Sequence, residues 1–163
     1  MKQLKFLILV LISAFGFSQN SLSDLLKKHN TKNIPYISVQ ELAMPNTDAI
    51  ILDTRELNEY NVSHLKNAIH VGYNDFNLKK IEKLIPNKAE KIVVYCSIGI
   101  RSETIAYKLK KDGYSNIFNL YGGIFEWKNN GFAVYNSNEK QTDEIHTFSK
   151  EWRKWLTKVK IVY

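Results

Sequence analysis

The chain carries a single cysteine, Cys96. That excludes an intramolecular disulfide, a cysteine-rich zinc site and a Cys-x-x-Cys redox pair. Glycine and proline are scarce, seven and three among 163 residues, and 24% of residues are charged. Neither a collagen-like nor a disordered chain fits those figures. No run of five or more Lys or Arg occurs, and the formal charge of +7 is modest. Charge alone therefore makes no case for nucleic acid, and no nucleic-acid partner is expected. There is no internal repeat and no low-complexity tract. With 44% hydrophobic residues, the length suits one domain with a real core and falls short of two.

The amino terminus reads MKQLKFLILVLISAFGFS. Lys2 and Lys5 form a basic start, and Phe6 to Phe17 is an unbroken apolar and small stretch. A membrane span needs roughly 20 residues, so this stretch is short for an anchor. Gly16 and Ser18 are small residues at −3 and −1 of a cleavage before Gln19. Together these features predict a secretory signal peptide over residues 1–18 and an exported protein, periplasmic or secreted. The alternative is a short retained anchor or a buried helix. No cysteine sits near the cleavage point, which argues against a lipoprotein. Removing the segment leaves 21 basic and 16 acidic residues, a formal +5. Exported proteins usually spend cysteines in pairs. An unpaired one is a liability unless it acts, so Cys96 draws attention first.

Along the rest of the chain, short apolar runs alternate with amphipathic stretches. Strands are predicted at Tyr36 to Val39, Asp48 to Asp53, Ala68 to Val71, Lys91 to Tyr95 and Ile117 to Leu120. Helices are predicted at Ser21 to Asn30, Leu78 to Leu84, Ser102 to Lys111 and Ile124 to Asn130, with single turns at Gln40 to Met44 and Glu56 to Tyr60. Ser23 or Asp24 is the expected cap of the first helix. Strands alternating with helices predict an α/β domain, with a central, largely parallel sheet flanked by helices on both faces. Ligands in such sheets sit outside the carboxyl ends of the strands. Cys96 follows the strand KIVVY and precedes a helix, which is that place.

The loop reads Cys96-Ser97-Ile98-Gly99-Ile100-Arg101-Ser102. If it wraps the sulfur, successive N–H groups form an anion-binding nest and the next helix aims its N-terminus at the same point. Gly99 permits a backbone angle that a side chain forbids. Arg101 adds a fixed positive charge. Each favours thiolate over thiol, so Cys96 should have a lowered pKa. The plain alternative is an inert buried cysteine at a strand end.

Three blocks carry a resemblance. Cys96-x-x-Gly99-x-Arg101-Ser102 resembles the active loop of the rhodanese family of sulfurtransferases. Asp53-Thr54-Arg55-Glu56, with Glu59-Tyr60, His64-Leu65 and Ala68, resembles a second family signature. Gly122-Gly123-Ile124-x-x-Trp127-x-x-x-Gly131 resembles its closing motif. The resemblance spans roughly Ile37 to Tyr135. Ser63 and Asn67 stand where the signature has glycine; both are turn positions, which Ser and Asn tolerate.

The resemblance implies a rhodanese-like fold over residues 19–135 and a two-step reaction. Cys96 takes the sulfane sulfur of a small anionic donor such as thiosulfate. It then holds a persulfide and yields the sulfur to cyanide or a thiol, a protein thiol among the candidates. Arg101 and the N–H groups of Ser97 to Ser102 would bind the anion. No metal or organic cofactor is called for. Ile98 and Ile100 are expected to line a partly apolar pocket mouth. Arg55 either lines that mouth or pairs with Glu59. Asp53 caps a turn or pairs with Arg55, with contact to the Cys96 loop as the alternative; His64 makes a structural hydrogen bond, Trp127 packs in the core, and Ser102 can equally cap its helix.

Two other readings stand beside this one. A cysteine-dependent phosphatase or arsenate reductase also joins a thiolate, a loop of N–H groups and an arginine. Its spacing is Cys-x5-Arg, against Cys96-x4-Arg101 here, so this cradle should be narrower. A non-catalytic binding module of the same fold commonly lacks the cysteine, which this chain keeps. Residues 136–163 lie beyond the resemblance. Phe148, Trp152, Trp155 and Val159 fall at helical spacing, which predicts a helix over Asp143 to Lys158. It would pack on the domain or, with Lys150, Arg153, Lys154, Lys158 and Lys160 around it, touch a partner or a membrane surface.

Overall fold

The computed structural model of the protein describes residues 21–157 and 159–163. The segment read as a signal peptide lies outside them. Among the described residues, no helix is long and apolar enough to cross a membrane.

Helix α1 (Leu22–His29) starts at Ser21, whose side chain accepts from the Asp24 N–H while Asp24 reaches back to the cap. That reciprocal pair satisfies two N–H groups the helix cannot. The cap is thus Ser21 rather than Ser23 or Asp24. Then follow β1 (Tyr36–Ile37), α2 (Val39–Leu42), β2 (Ile50–Asp53), α3 (Leu57–Val62), β3 (Ile69–His70), α4 (Leu78–Leu84), β4 (Ile92–Tyr95), α5 (Arg101–Lys111), β5 (Ile117–Leu120) and α6 (Gly123–Asn129). The five strands form one parallel sheet in the order β1-β5-β4-β2-β3. Strand β4 lies at its centre, and every residue of β4 is buried. Successive strand side chains point to opposite faces. Ile92 and Val94 accordingly join a core with Ile81 of α4 and Ile105 and Leu109 of α5. Val93 and Tyr95 join the opposite core with Leu42 of α2 and Ile124 and Phe125 of α6. The sheet is covered on both faces, as the α/β reading expects.

The two glycine departures resolve separately. Asn67 has φ +60°, a left-handed conformation that Asn adopts more readily than most residues. Ser63 is extended, with φ −166°, and needs no glycine.

The carboxyl-terminal extension departs from expectation. The helix predicted over Asp143 to Lys158 does not form. Residues beyond α6 make β6 (Val134–Tyr135), β7 (Gln141–Thr142), β8 (Glu144–His146), a 3₁₀ turn (Lys150–Trp155) and β9 (Lys160–Val162). Strands β6 and β7 pair antiparallel; β8 and β9 pair parallel. Ile145 and Leu156 are buried in the same core as α6, so both ends of this segment are tied to the domain. Its apolar residues are spent on strand pairing and a short 3₁₀ turn, not on one helical stripe.

Candidate active site

Cys96 leaves the carboxyl end of β4 and is fully buried. The loop returns on itself, so the Gly99 N–H donates to Cys96 Sγ at 3.1 Å. Gly99 has φ +102°, a backbone angle that suits glycine and strains side-chain residues. Helix α5 begins at Arg101, one residue earlier than predicted, and Ile100 occupies its cap. Ser102 is therefore inside the first turn and not the cap. Its backbone N–H reaches Cys96, and its hydroxyl lies 3.6 Å from Sγ. The same hydroxyl donates to Asn119 Oδ1 at 2.7 Å.

Burial pushes the Cys96 thiol up. The Arg101 charge and the hydrogen bonds from Ser102 and Gly99 outweigh it, and the thiol is held below its ordinary value. The N–H groups stabilise the anion without a nearby base, so the cradle itself generates a nucleophile.

Asn119 was not anticipated. It lies on β5, the strand beside β4, and is fully buried. Its Nδ2 donates to the Gly99 carbonyl at 2.8 Å while Oδ1 takes the Ser102 hydroxyl. One side chain thus pins both sides of the loop. An amide in the otherwise apolar run IFNL was the available signal.

Arg101 is nearly buried. Its terminal nitrogens lie 2.6 and 2.7 Å from the two oxygens of Glu59 on α3, and Nη2 also donates to Ser97 Oγ at 3.0 Å. Its Nε is buried and has no partner among the described residues. Burial raises the Glu59 carboxyl, but the hydrogen bonds and charge of Arg101 prevail and hold it below the usual carboxylate range. The sequence offered Glu59 as a partner for Arg55; the structure gives it to Arg101.

Arg55 does not line a pocket. It is fully buried, with Nη2 2.6 Å from Asp53 Oδ2 and 2.5 Å from the Ser63 carbonyl. Tyr95 also donates to Asp53 Oδ2, at 2.5 Å. Arg55 ties β2 to the turn after α3 and is structural, so the binding role expected for it is withdrawn. Ile98 is likewise fully buried, in the α6 core, and only Ile100 is partly exposed. The apolar mouth expected from Ile98 and Ile100 is not formed by that pair. His64 makes the expected structural bonds, to the Tyr60 carbonyl at 3.1 Å and to Glu139 at 3.2 Å. Trp127 packs against the core and donates to the Ala133 carbonyl at 2.9 Å.

The closing motif has a specific task. Gly122 and Gly123 have φ +70° and +56°. They turn α6 so that the Ile124 N–H meets the Cys96 carbonyl at 3.0 Å and the Phe125 N–H the Ser97 carbonyl at 3.1 Å. A Cβ on Gly123 would overlap the Cys96 and Ser97 carbonyl oxygens. The helix thus clamps the loop from outside while α5 closes it from within.

The class defined here is an α/β protein that seats an activated thiolate at the carboxyl end of a central parallel strand. Comparison with known proteins gives the family. The rhodanese-like domain family matches residues 38–130, and the chain belongs to it. A tRNA uridine(34) hydroxylase of Aster yellows witches'-broom phytoplasma is 35% identical over 99 residues, covering 56% of this chain and 32% of that protein. One from Escherichia coli O139:H28 is 33% identical over 87 residues, covering 52% and 25%. The chain therefore spans less than a third of the length of these relatives. Among solved structures, a rhodanese-related protein from Thermoplasma volcanium has a TM-score of 0.52 at 25% identity, over 61% of this chain and 96% of that one. A thiosulfate sulfurtransferase from Pseudomonas aeruginosa shares the fold, with a TM-score of 0.58 at 23% identity, over 75% of this chain and 23% of that one.

Proposed function

We propose that the protein is a sulfurtransferase that carries a sulfane sulfur on Cys96. In the first half-reaction the Cys96 thiolate attacks the outer sulfur of thiosulfate or a similar donor. A bond forms between Sγ and that sulfur. The donor's S–S bond breaks, and its electron pair leaves with sulfite. In the second half-reaction cyanide or a thiolate attacks the terminal sulfur of the persulfide, and the Cys96 thiolate is regenerated. No electron is lost or gained from outside.

The observation that carries this reading is the pairing of a stabilised thiolate with a buried, unspent donor. Two N–H groups face Sγ, while Arg101 Nε is buried without a partner among the described residues. A buried donor left unpaired costs about 1–3 kcal/mol. An anionic oxygen of the donor would satisfy it at the moment of binding. The same N–H groups then hold the negative charge of thiolate and persulfide.

Steady-state kinetics test the reading. Varying thiosulfate against cyanide should give the parallel double-reciprocal lines of a double displacement, and Cys96→Ser should form no thiocyanate. Intersecting lines would remove the persulfide intermediate. Activity that survives Cys96→Ser would remove the assignment of the nucleophile. We also propose, on the strength of residues 1–18, that the protein acts outside the cytoplasm, with a small-molecule or protein thiol as acceptor. Finding the full chain in the cytoplasmic fraction would reject that placement.

A further inference from the structure

Cys96 and Ser97 have no exposed surface. Two surface cavities, one along Leu57, Val71 and Leu84 and one along Arg153, Leu156 and Ile161, include no residue of the Cys96 loop. The sulfur is therefore reached past the residues around the loop, not from either of these cavities. On the Arg101 side of the loop, the neighbours come from the extension, which lies beyond the matched residues 38–130.

The Phe148 ring lies 4.4 Å from Arg101 Cζ, and the Trp152 ring 6.0 Å from it. The two rings are 5.0 Å apart and tilted by 40°. A guanidinium donates hydrogen bonds in its plane and stacks on its faces. In Arg101 the terminal nitrogens are spent on Glu59 and Ser97. Phe148 covers a face, and Nε is the Arg101 nitrogen with no partner among the described residues.

Phe148 holds that position against its own backbone preference. Its φ is +62°, and the Ser149 N–H bonds to the Thr147 carbonyl at 2.6 Å around it. A three-residue turn with positive φ at its centre is the rare, strained form, and a bulky residue there is an outlier. Such strain persists only where the surroundings enforce it, and it gathers at functional sites. Here the Phe148 N–H donates to His146 Nδ1 at 3.0 Å, and His146 Nε2 is 3.4 Å from Asn58, the residue before Glu59. Ile145 and Leu156 anchor the segment in the core on either side. Yet the Phe148 side is not itself sealed, for the residue keeps 49% of its surface exposed. A large aromatic is thus held, strained and half in water, on the arginine beside the reactive sulfur. Packing alone does not account for it.

We propose that Phe148, backed by Trp152, is the outer wall of the Cys96 site and determines which sulfur compounds reach the thiolate. This rests on the sulfur-transfer reading for its substrate class but not for its geometry. Small anionic donors and slender thiols pass beside the ring toward Arg101 Nε and the sulfur. Donors and acceptors with a bulky or branched group next to the reacting sulfur meet the ring and are turned away.

The test is Phe148→Gly, with Trp152→Ala beside it, in the full chain. Glycine accepts positive φ freely, so the substitution relieves the turn and leaves the fold intact. Two readouts are compared. One is the rate of Cys96 alkylation by iodoacetamide against that by a bulky N-aryl maleimide. The other is kcat/KM for thiosulfate against an arenethiosulfonate. Phe148→Gly should raise the bulky-to-small ratio about tenfold or more in both readouts, the scale on which pocket walls discriminate. Trp152→Ala should raise it less. An unchanged alkylation ratio in Phe148→Gly overturns the wall, whatever the transfer assay gives. A raised alkylation ratio in a protein that forms no persulfide upholds the wall and counts against sulfur transfer.

Discussion

Arg101 and Glu59, 42 residues apart, are joined by both guanidinium terminal nitrogens, at 2.6 and 2.7 Å. The pair fixes the first residue of α5 to α3 and so sets where the positive charge stands relative to Cys96. It also spends the two nitrogens a substrate would ordinarily seek. The Arg101 of this site is a positioned field with Nε unpaired among the described residues, rather than an open fork.

Glu59→Gln should remove that positioning. Taking one partner from a buried ion pair strands the other and costs about 3–5 kcal/mol, measurable by urea unfolding at neutral pH. The pH dependence has a definite sign. Glu59 in the folded protein is held below its usual value, so its contribution is full above the unfolded pKa of about 4.3 and fades as pH falls through the lower folded value. The stability gap between wild type and Glu59→Gln should therefore shrink in acid. A gap that stays constant down to the acid limit would show that Arg101 does not depend on the carboxylate.

Cys96 should titrate early. Burial pushes its thiol up, but Arg101, Ser102 and Gly99 together bring it below the ordinary value. The thiolate is the nucleophile, so alkylation by iodoacetamide should rise with pH and level off with a midpoint below the free-cysteine value of about 8.5. Arg101→Gln should move the midpoint upward. A wild-type midpoint at or above that of free cysteine would mean that burial prevails over the cradle.

Arg55 separates structure from chemistry. Arg55→Met leaves Asp53 buried without its cation and should destabilise the fold by about 3–5 kcal/mol. Because Arg55 bonds to Asp53 and the Ser63 carbonyl and not to the loop, the folded fraction should keep the wild-type alkylation profile of Cys96. A shifted midpoint would return Arg55 to the site.

Gly123 and Gly131 make an internal contrast. Both have positive φ, so alanine at either adds backbone strain of order 1–3 kcal/mol. At Gly131 a Cβ meets none of the described residues within 4 Å, whereas at Gly123 it overlaps the carbonyl oxygens of Cys96 and Ser97. Gly123→Ala should therefore lower both stability and Cys96 reactivity, while Gly131→Ala lowers stability alone. Equal effects on reactivity would show that α6 does not clamp the loop.

Much of the site was legible because its signals are local. The run Ile92–Tyr95 is buried throughout, and the cysteine, glycine and arginine that follow it are fixed by one tight turn. Partners distant in sequence were not legible. Two arginines and several acids could be paired in more than one way, and only the meeting of α3 with α5 assigns Glu59 to Arg101. The extension misled for a related reason. Phe148, Trp152, Trp155 and Val159 fit a helical stripe, but β8 and β9 pair Glu144–His146 with Lys160–Val162. That pairing closes the segment into a loop, and local periodicity carries no information about it. The left-handed turn at Phe148, which brings the ring to Arg101, lies in the same stretch.

The central claim is that Cys96 carries sulfur, and the intact mass of the protein tests it most directly. After incubation with thiosulfate the protein should gain the mass of one sulfur atom. Cyanide should reverse the gain, and Cys96→Ser should not show it. No gain with thiosulfate, polysulfide or mercaptopyruvate would contradict the account and leave a rhodanese-like domain that binds without transferring.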